Sequence, residues 1–76
     1  RAKCFVAQVN WCLDVEDSIR ADVQIRYRHQ GVPATIKKIE NSRVRVEFDQ
    51  PQISIAPGQS AVFYQDDCVI GGGWLE

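Results

Sequence analysis

The chain has 76 residues, and its 9 basic and 10 acidic side chains leave a net charge of −1. A chain of this length forms one domain and buries roughly 60% of its extended surface, which favours modest stability. Its three cysteines lack paired spacing, and neither a signal peptide nor a membrane-spanning apolar run is present, so we expect a cytoplasmic protein rather than a secreted or membrane one.

The charges are distributed unevenly along the chain. Residues 20–45 carry seven basic and two acidic side chains, a local net charge of +5, whereas residues 46–76 carry five acidic side chains and no basic ones. The middle of the chain is therefore predicted to attract anions within a mildly acidic domain.

The first half of the chain alternates between polar and apolar residues, which is typical of strands. One face of the first predicted strand carries Phe5, Ala7, Val9 and Trp11. An acidic connection over residues 14–18 follows, and no segment, including the polar stretch 14–22, supports a helix of useful length. The second strand is predicted to turn Val23, Ile25 and Tyr27 to one face and Gln24, Arg26 and Arg28 to the other.

Two further strands follow a turn at residues 29–31. The third begins with Val32, Ala34 and Ile36, and Lys37–Lys38 interrupts its alternation, as a bulge would. After a reversal at residues 40–42, the fourth strand is predicted to point Val44, Val46 and Phe48 inward and Arg43, Arg45, Glu47 and Asp49 outward.

The last third of the chain predicts a short strand over residues 53–55 and then a hairpin. Pro57–Gly58 suits a type II turn, because Pro presets φ and Gly accepts φ > 0. A buried strand follows, and the chain reverses direction at Asp66–Asp67. The second strand of the hairpin contains Gly71–Gly73, where glycine allows strands to approach closely. Six or seven short strands without a helix indicate an all-β fold, and closure into a small antiparallel barrel would remove exposed edges. Composition alone leaves a β-sandwich open.

Outward-facing arginines are the first candidate binding site. If the second and fourth strands are near neighbours, one surface carries Arg26, Arg28, Arg43 and Arg45. Arginine suits phosphate because its planar guanidinium donates two parallel hydrogen bonds. The alternative is a solvated face on which the arginines pair with Glu47 and Asp49, and it applies most to Arg43 and Arg45, which alternate with acidic residues.

Polar residues in two turns are the second candidate. His29 and Gln30 follow Arg28 directly, so they could contact the same ligand, although a lone loop histidine is usually only solvated. Gln59 follows the Pro57–Gly58 turn, and its amide could hydrogen-bond a sugar or base edge of RNA. The alternative for Gln59 is that the turn needs only its Pro and Gly.

The pattern predicts no catalytic, metal or cofactor site within these residues. No Lys, Ser or Thr follows the three glycines, as a phosphate loop requires. No two cysteines have the close spacing of a zinc site, and nothing in the spacing brings a nucleophile to His29, the single histidine.

Residues 56–74, APGQSAVFYQDDCVIGGGW, resemble the end of bacterial tRNA-specific 2-thiouridylases, whose C-terminal β-barrel closes with a PGQ-A-V-F-Y segment and a triple glycine. The likeness covers nearly the whole chain. It includes segments 9–11, 25–28, 32–36 and 44–51. The resemblance implies that residues 1–76 form a single C-terminal β-barrel, similar to the second domain of translation elongation factors, and that residues 1–12 include the connection from a preceding domain.

The resemblance also implies the chemistry of the parent protein. That protein would be an ATP-dependent tRNA-uridine 2-sulfurtransferase that thiolates the wobble uridine, with ATP and the catalytic cysteines in its other domains and a sulfur-relay protein as a partner. The barrel itself would be non-catalytic and would contact the tRNA anticodon arm. The implied RNA-binding residues are Arg26, Arg28, His29, Gln30 and Gln59. The alternative is a purely structural barrel that packs against its own enzyme's other domains.

Five residues bear on this expectation. Cys12 and Cys68 fall where the family has aliphatic residues, so both are predicted to be small buried fillers. Gln24 stands where many relatives have a lysine, which removes one phosphate-seeking charge. Asp66–Asp67 replaces a glycine-containing turn and is expected to add negative charge near the RNA surface.

Overall fold

Six antiparallel strands close into a barrel in this computed structural model, which describes residues 2–25, 30–40, 42–53 and 55–76. The strands are β1 (Lys3–Trp11), β2 (Ser18–Gln24), β3 (Val32–Glu40), β4 (Arg43–Phe48), β5 (Ser60–Gln65) and β6 (Cys68–Leu75). They pair in the order β1-β4-β3-β2-β5-β6, and β1 also pairs with β6. The all-β prediction and its closed barrel are confirmed. The described part of the chain contains no helix that could cross a membrane.

The core lies inside the barrel and consists of the inward residues of all six strands. Phe63, Ile36 and Ile70 are the largest of its fully buried side chains. The half-buried ring of Trp11 extends the core, with its centroid 5.6 Å from that of Phe63. The predicted alternation of β4 is confirmed, because Val44, Val46 and Phe48 are buried and the residues between them are not.

The predicted face of β1 is correct only in its second half. Cys4 and Val6 are buried whereas Phe5 is 37% exposed, so the prediction for Phe5 and Ala7 is wrong. The pairing of β1 with β6 shifts between Ala7 and Asn10, and Gln8 lies in this shift with φ of +54°. Such a bulge adds one residue and reverses the alternation. Val9 and Trp11 therefore turn toward the core, and they do not share a face with Phe5 and Ala7 as predicted.

Residues between β4 and β5 do not form the predicted short strand. Ile53 and Ile55 are both outside the sheet, and Ile53 is 87% exposed. Ser54, the middle residue of that prediction, lies outside the described residues. In β3, by contrast, the predicted bulge is confirmed by a register shift between Lys38 and Glu40.

Glycines in β6 allow the barrel to close. A Cβ on Gly73 would lie 2.5 Å from the carbonyl oxygen of Ala7, and one on Gly71 would lie 2.6 Å from the Trp11 ring. The first and last strands therefore approach more closely than any side chain at these positions would permit, which confirms the predicted close strand contact. The Pro57–Gly58 turn is also confirmed, with Gly58 at φ of +89°.

The pairing register defines the two ends of the barrel. Val23 pairs with Val32 and Gln24 with Val62, so Ile25, Gln30 and the residues that precede Ser60 leave the sheet at the same end. We call it the glutamine end, after Gln30 and Gln59. The opposite end, the acidic end, carries the carboxylates of Asp14, Glu16, Asp17, Glu40, Asp66 and Asp67.

The cysteines differ from prediction. Cys4 is buried in the core, whereas Cys12 and Cys68 are exposed and not buried fillers. Cys12 directly follows the last residue of β1, and Cys68 directly follows the hairpin turn into β6. Both lie at the acidic end, beyond the residues that fill the barrel.

Candidate nucleic-acid interface

The glutamine end carries the described part of the predicted RNA-binding set. Gln30 is exposed there and Gln59 is half-buried. Arg26, Arg28 and His29 lie outside the described residues, between Ile25 and Gln30 in the sequence. The barrel topology thus brings Gln30 and Gln59, 29 positions apart in the sequence, to one end of the molecule.

Gln59 holds the turn that precedes β5. Its side-chain Oε1 accepts a hydrogen bond of 2.8 Å from the backbone N–H of Ala56. Its backbone carbonyl accepts another of 2.8 Å from the N–H of Leu75, and the Gly58 N–H donates to the Leu75 carbonyl at 2.8 Å. Gln59 therefore has a structural role in this turn, which the expectation that the turn needs only its Pro and Gly did not include. The Nε2 amino group as donor and the second lone pair of Oε1 as acceptor are left for a contact with a ligand.

The second and fourth strands are not direct neighbours, because β3 lies between them. Only one strand separates them, and Arg26 and Arg28 lie outside the described residues, so the surface shared by Arg26, Arg28, Arg43 and Arg45 stays a prediction. Arg45 instead forms an ion pair with Glu47, with 2.8 Å between Nε and Oε2, and Lys37 lies 3.6 Å from the same carboxylate. For Arg45, the alternative of a surface ion pair with Glu47 is therefore the one that the structure shows.

Arg43 is also paired with a carboxylate. Its Nε and Nη2 donate to the two carboxylate oxygens of Glu76 at 2.6 and 2.8 Å. These forked hydrogen bonds hold the pKa of the Glu76 carboxyl below its ordinary value. The fork uses two of the five N–H groups of Arg43, and the Glu76 carboxylate neutralises its charge, which weakens its attraction for a phosphate.

The sequence pattern did not indicate the role of Arg20. Arg20 donates to both oxygens of Asp49 at 2.6 Å and to the Thr35 hydroxyl at 3.0 Å. The sequence predicts that Asp49 pairs with outward arginines, and its partner is this arginine of β2. These two hydrogen bonds join β2 to Asp49, the first residue after β4, where the connection to β5 begins. The partners are 29 residues apart, so only the barrel register brings them together.

The Arg20–Asp49 pair should make stability depend on pH. The hydrogen bonds from Arg20 hold the pKa of the Asp49 carboxyl below its ordinary value, against the opposing effect of desolvation. An acid with a lowered folded pKa stabilises the protein above its unfolded pKa and loses that contribution as pH falls through the folded one. Asp49→Asn should therefore lower the melting temperature slightly at pH 7, and the two curves should converge in acid. A difference that persists at the lowest pH would contradict this.

Lys3 is a second residue that the sequence pattern did not single out. It lies at the start of β1, at the glutamine end, and is exposed. Arg20, Lys37, Arg43 and Arg45 pair with carboxylates, and Lys38 donates to the Val15 carbonyl at 2.8 Å. Among the described lysines and arginines, Lys3 alone has neither kind of partner, so its ammonium group is available to an anion.

A surface depression of about 410 Å³ lies between β2 and the β5–β6 hairpin. Its walls include Arg20, Asp22, Tyr64, Gln65 and Asp66. The arginine there is neutralised by Asp49, and the two aspartates leave the walls negative. This depression is therefore unsuited to phosphate.

The acidic hairpin lies away from the candidate interface. Asp66 and Asp67 form the turn with φ of +49° and +68°, between the end of β5 and the start of β6. That turn belongs to the acidic end, opposite Gln30 and Gln59. The strand direction therefore places these carboxylates at the other end of the barrel from the described members of the predicted RNA-binding set.

Comparisons with known proteins agree with the fold. Residues 1–75 match the family described as aminomethyltransferase β-barrel domain. The chain is 55% identical over 76 residues to the tRNA-specific 2-thiouridylase of Trichormus variabilis and 53% identical to that of Nostoc punctiforme, each match covering 97% of this chain and 22% of the relative. For the Vibrio parahaemolyticus enzyme, the identity is 44% over 72 residues, with 92% and 19% covered. The chain thus spans about a fifth of the length of these relatives.

Proposed function

The chain belongs to the aminomethyltransferase β-barrel domain family, and from this premise we propose that it is the C-terminal domain of a tRNA-specific 2-thiouridylase and contacts the anticodon arm of the tRNA. The relatives that match almost all of it carry that enzyme name. ATP binding, wobble-uridine thiolation and contact with a sulfur-relay protein belong, in this proposal, to the four fifths of the enzyme outside these residues. The enzyme works in the cytoplasm, where its substrate is made.

The polarity of the barrel supports the choice of the glutamine end as the RNA-contacting surface. The opposite end carries six carboxylates, which repel a phosphate backbone. At the glutamine end, Lys3 has a free ammonium group, and the sequence between Ile25 and Gln30 adds Arg26, Arg28 and His29.

The carboxylates of Glu47, Asp49 and Glu76 lie at or near the glutamine end, and each is paired with a lysine or an arginine. Of the six acids at the opposite end, only Glu40 is paired among the described residues. Unpaired carboxylates at one end favour the approach of a polyanion to the other. This separation of unpaired charge is the observation that carries the proposal.

Removal of two arginines should weaken tRNA binding by the full-length enzyme. Arg26→Ala combined with Arg28→Ala removes two cations from the segment between Ile25 and Gln30. The slope of log K against log salt should fall in magnitude by about one for every phosphate that is no longer neutralised. The measurement is a salt titration of tRNA binding by fluorescence anisotropy. Arg45→Ala is the matched control, since it removes the same charge from a side chain already paired with Glu47.

The titration separates the proposal from the structural alternative. A barrel without RNA contact would give the double variant the wild-type affinity and slope. Equal weakening by Arg45→Ala would indicate a nonspecific effect of reduced positive charge rather than a contact at the glutamine end. Arg20, Arg43 and Arg45 are paired with carboxylates, which favours a structural role rather than an RNA contact for these three residues. The proposal therefore depends on Arg26, Arg28 and Lys3.

A further inference from the structure

The indole ring of Trp74 lies on the outer wall of the barrel, next to the glutamine end. Trp74 is 51% exposed, although tryptophan is highly buried in most domains. It pairs with Ser60, the residue that directly follows Gln59. The N–H of its neighbour Leu75 donates to the Gln59 carbonyl at 2.8 Å. The exposed ring is therefore continuous with the surface proposed to contact RNA.

Small residues surround the Trp74 side chain. Ala7 faces it across β1, and Ser60 faces it across β5. Gly72 lies two residues earlier on the same outward side of β6 and has no side chain, whereas Gly73 between them faces the core. These neighbours leave an open area beside the indole, in which a second planar ring has room to stack.

A second aromatic ring on this wall, that of Phe5, is more covered. The guanidinium carbon of Arg43 lies 4.7 Å from the centroid of the Phe5 ring, and the same guanidinium donates to the Glu76 carboxylate. Phe5 is accordingly 37% exposed, less than Trp74. Trp74 is therefore the more open of the two rings and the better surface for stacking.

Lys3 supplies a free cation on the same wall. It lies two residues before Phe5 on the outward side of β1 and pairs with Glu47 in the register. The Glu47 carboxylate is already bound by Arg45, with 2.8 Å between Nε and Oε2, and by the Lys37 ammonium at 3.6 Å. The ammonium group of Lys3 therefore keeps its attraction for a phosphate.

An open indole and a free cation on one wall favour single-stranded nucleic acid as the occupant. Proteins that bind single strands stack the bases on aromatic side chains and neutralise the backbone with cations. Lys3 lies four residues from Ala7, about 13 Å along β1 at about 3.3 Å per residue. The ammonium group would thus meet a phosphate of a different nucleotide in the same strand.

We propose that Trp74 stacks on an unpaired base of the tRNA, while Lys3 contacts a phosphate further along the same strand. Unpaired bases are the ones available for stacking, because the bases of a duplex stack on one another. The inference rests on the proposed contact between this domain and the anticodon arm. It extends that contact from the glutamine end onto the outer wall of β1 and β6.

Fluorescence anisotropy of a labelled tRNA with uridine at the wobble position, titrated with the full-length enzyme, tests this stacking. Trp74→Ala should weaken binding about tenfold, because one base loses its stacking partner. The slope of log K against log salt should not change, because an indole neutralises no phosphate. Trp74→Phe should recover most of the affinity, since phenylalanine keeps an aromatic face. Lys3→Ala, by contrast, should lower the magnitude of the slope by about one.

Leu13→Ala is the matched control, because Leu13 is 50% exposed and lies beyond the end of β1, at the acidic end. It should bind tRNA as the wild type does. Wild-type affinity for Trp74→Ala would overturn the stacking, and so would equal losses for Trp74→Ala and Trp74→Phe. If another protein surface covers Trp74, Trp74→Ala should lower the melting temperature of the full-length enzyme without changing its tRNA affinity, which would also overturn the inference.

The stacking and the proposed function fail separately. If the Arg26 and Arg28 variant binds tRNA weakly while Trp74→Ala binds it normally, the RNA contact of the domain stands and the stacking on Trp74 is wrong. If neither variant changes the affinity, both proposals are wrong.

Discussion

Replacing Gly73 with alanine should cost the barrel about 3 kcal/mol of its free energy of unfolding, at the upper end of the usual range for overpacking. The added Cβ would lie 2.5 Å from the Ala7 carbonyl oxygen and 2.8 Å from Cγ1 of Val6. The first of these is a backbone atom of a paired strand, so it cannot move aside as a flexible side chain would. A domain of this size has a stability of about 5 kcal/mol. Urea unfolding monitored by circular dichroism measures the decrease.

Gly31→Ala is the matched control for this variant. At Gly31 the nearest atom to an added Cβ is Cβ of Asp22 at 3.1 Å, and the residue precedes β3 rather than closing the barrel. We expect a change of about 1 kcal/mol or less. Equal urea midpoints for the two variants would show that β6 does not need its glycine to approach β1.

Phe63→Ala should be equally severe for a different reason. The Phe63 side chain is fully buried at the centre of the core and contacts the Trp11 ring at a centroid distance of 5.6 Å. Truncating a buried phenylalanine costs about 3–5 kcal/mol, because apolar packing is removed and a cavity remains. This cost approaches the total stability of a small domain. Thermal unfolding should show either a large drop in melting temperature or no cooperative transition.

The control for Phe63→Ala is Phe5→Ala, which removes the same atoms from the outside of the barrel. Phe5 is 37% exposed and leaves no cavity in the core. Loss of its partly buried ring and of the Arg43 guanidinium contact at 4.7 Å should lower stability by about 1 kcal/mol. Similar melting temperatures for the two variants would contradict the assignment of the core to the barrel interior.

Local patterns predicted most of the strands because their causes are local. The alternation of β4 and the turn at Pro57–Gly58 depend on neighbouring residues, and both are confirmed. The prediction for the first half of β1 is wrong because its phase depends on a bulge at Gln8 in the pairing with β6. Ile53 and Ile55, the described residues of the expected strand over 53–55, lie outside the sheet, because alternating isoleucines do not by themselves provide a pairing partner.

The candidate site was less predictable than the fold, because contacts between distant residues decide it. Sequence spacing shows that Arg43 and Arg45 point outward, and it does not show which carboxylates reach them. Glu76 is 33 residues from Arg43. Likewise, only the direction of β5 and β6 shows that Asp66–Asp67 lies opposite the glutamine end.

The closure between the first and last strands has a consequence for how the domain forms during synthesis. Because β1 needs β6 as a neighbour, the sheet keeps two open edges until the final strand has emerged from the ribosome. Contacts between such distant parts of a chain carry a high loop-closure entropy, and folds rich in them assemble in milliseconds to seconds. Premature termination after β5 would leave both edges free for aggregation.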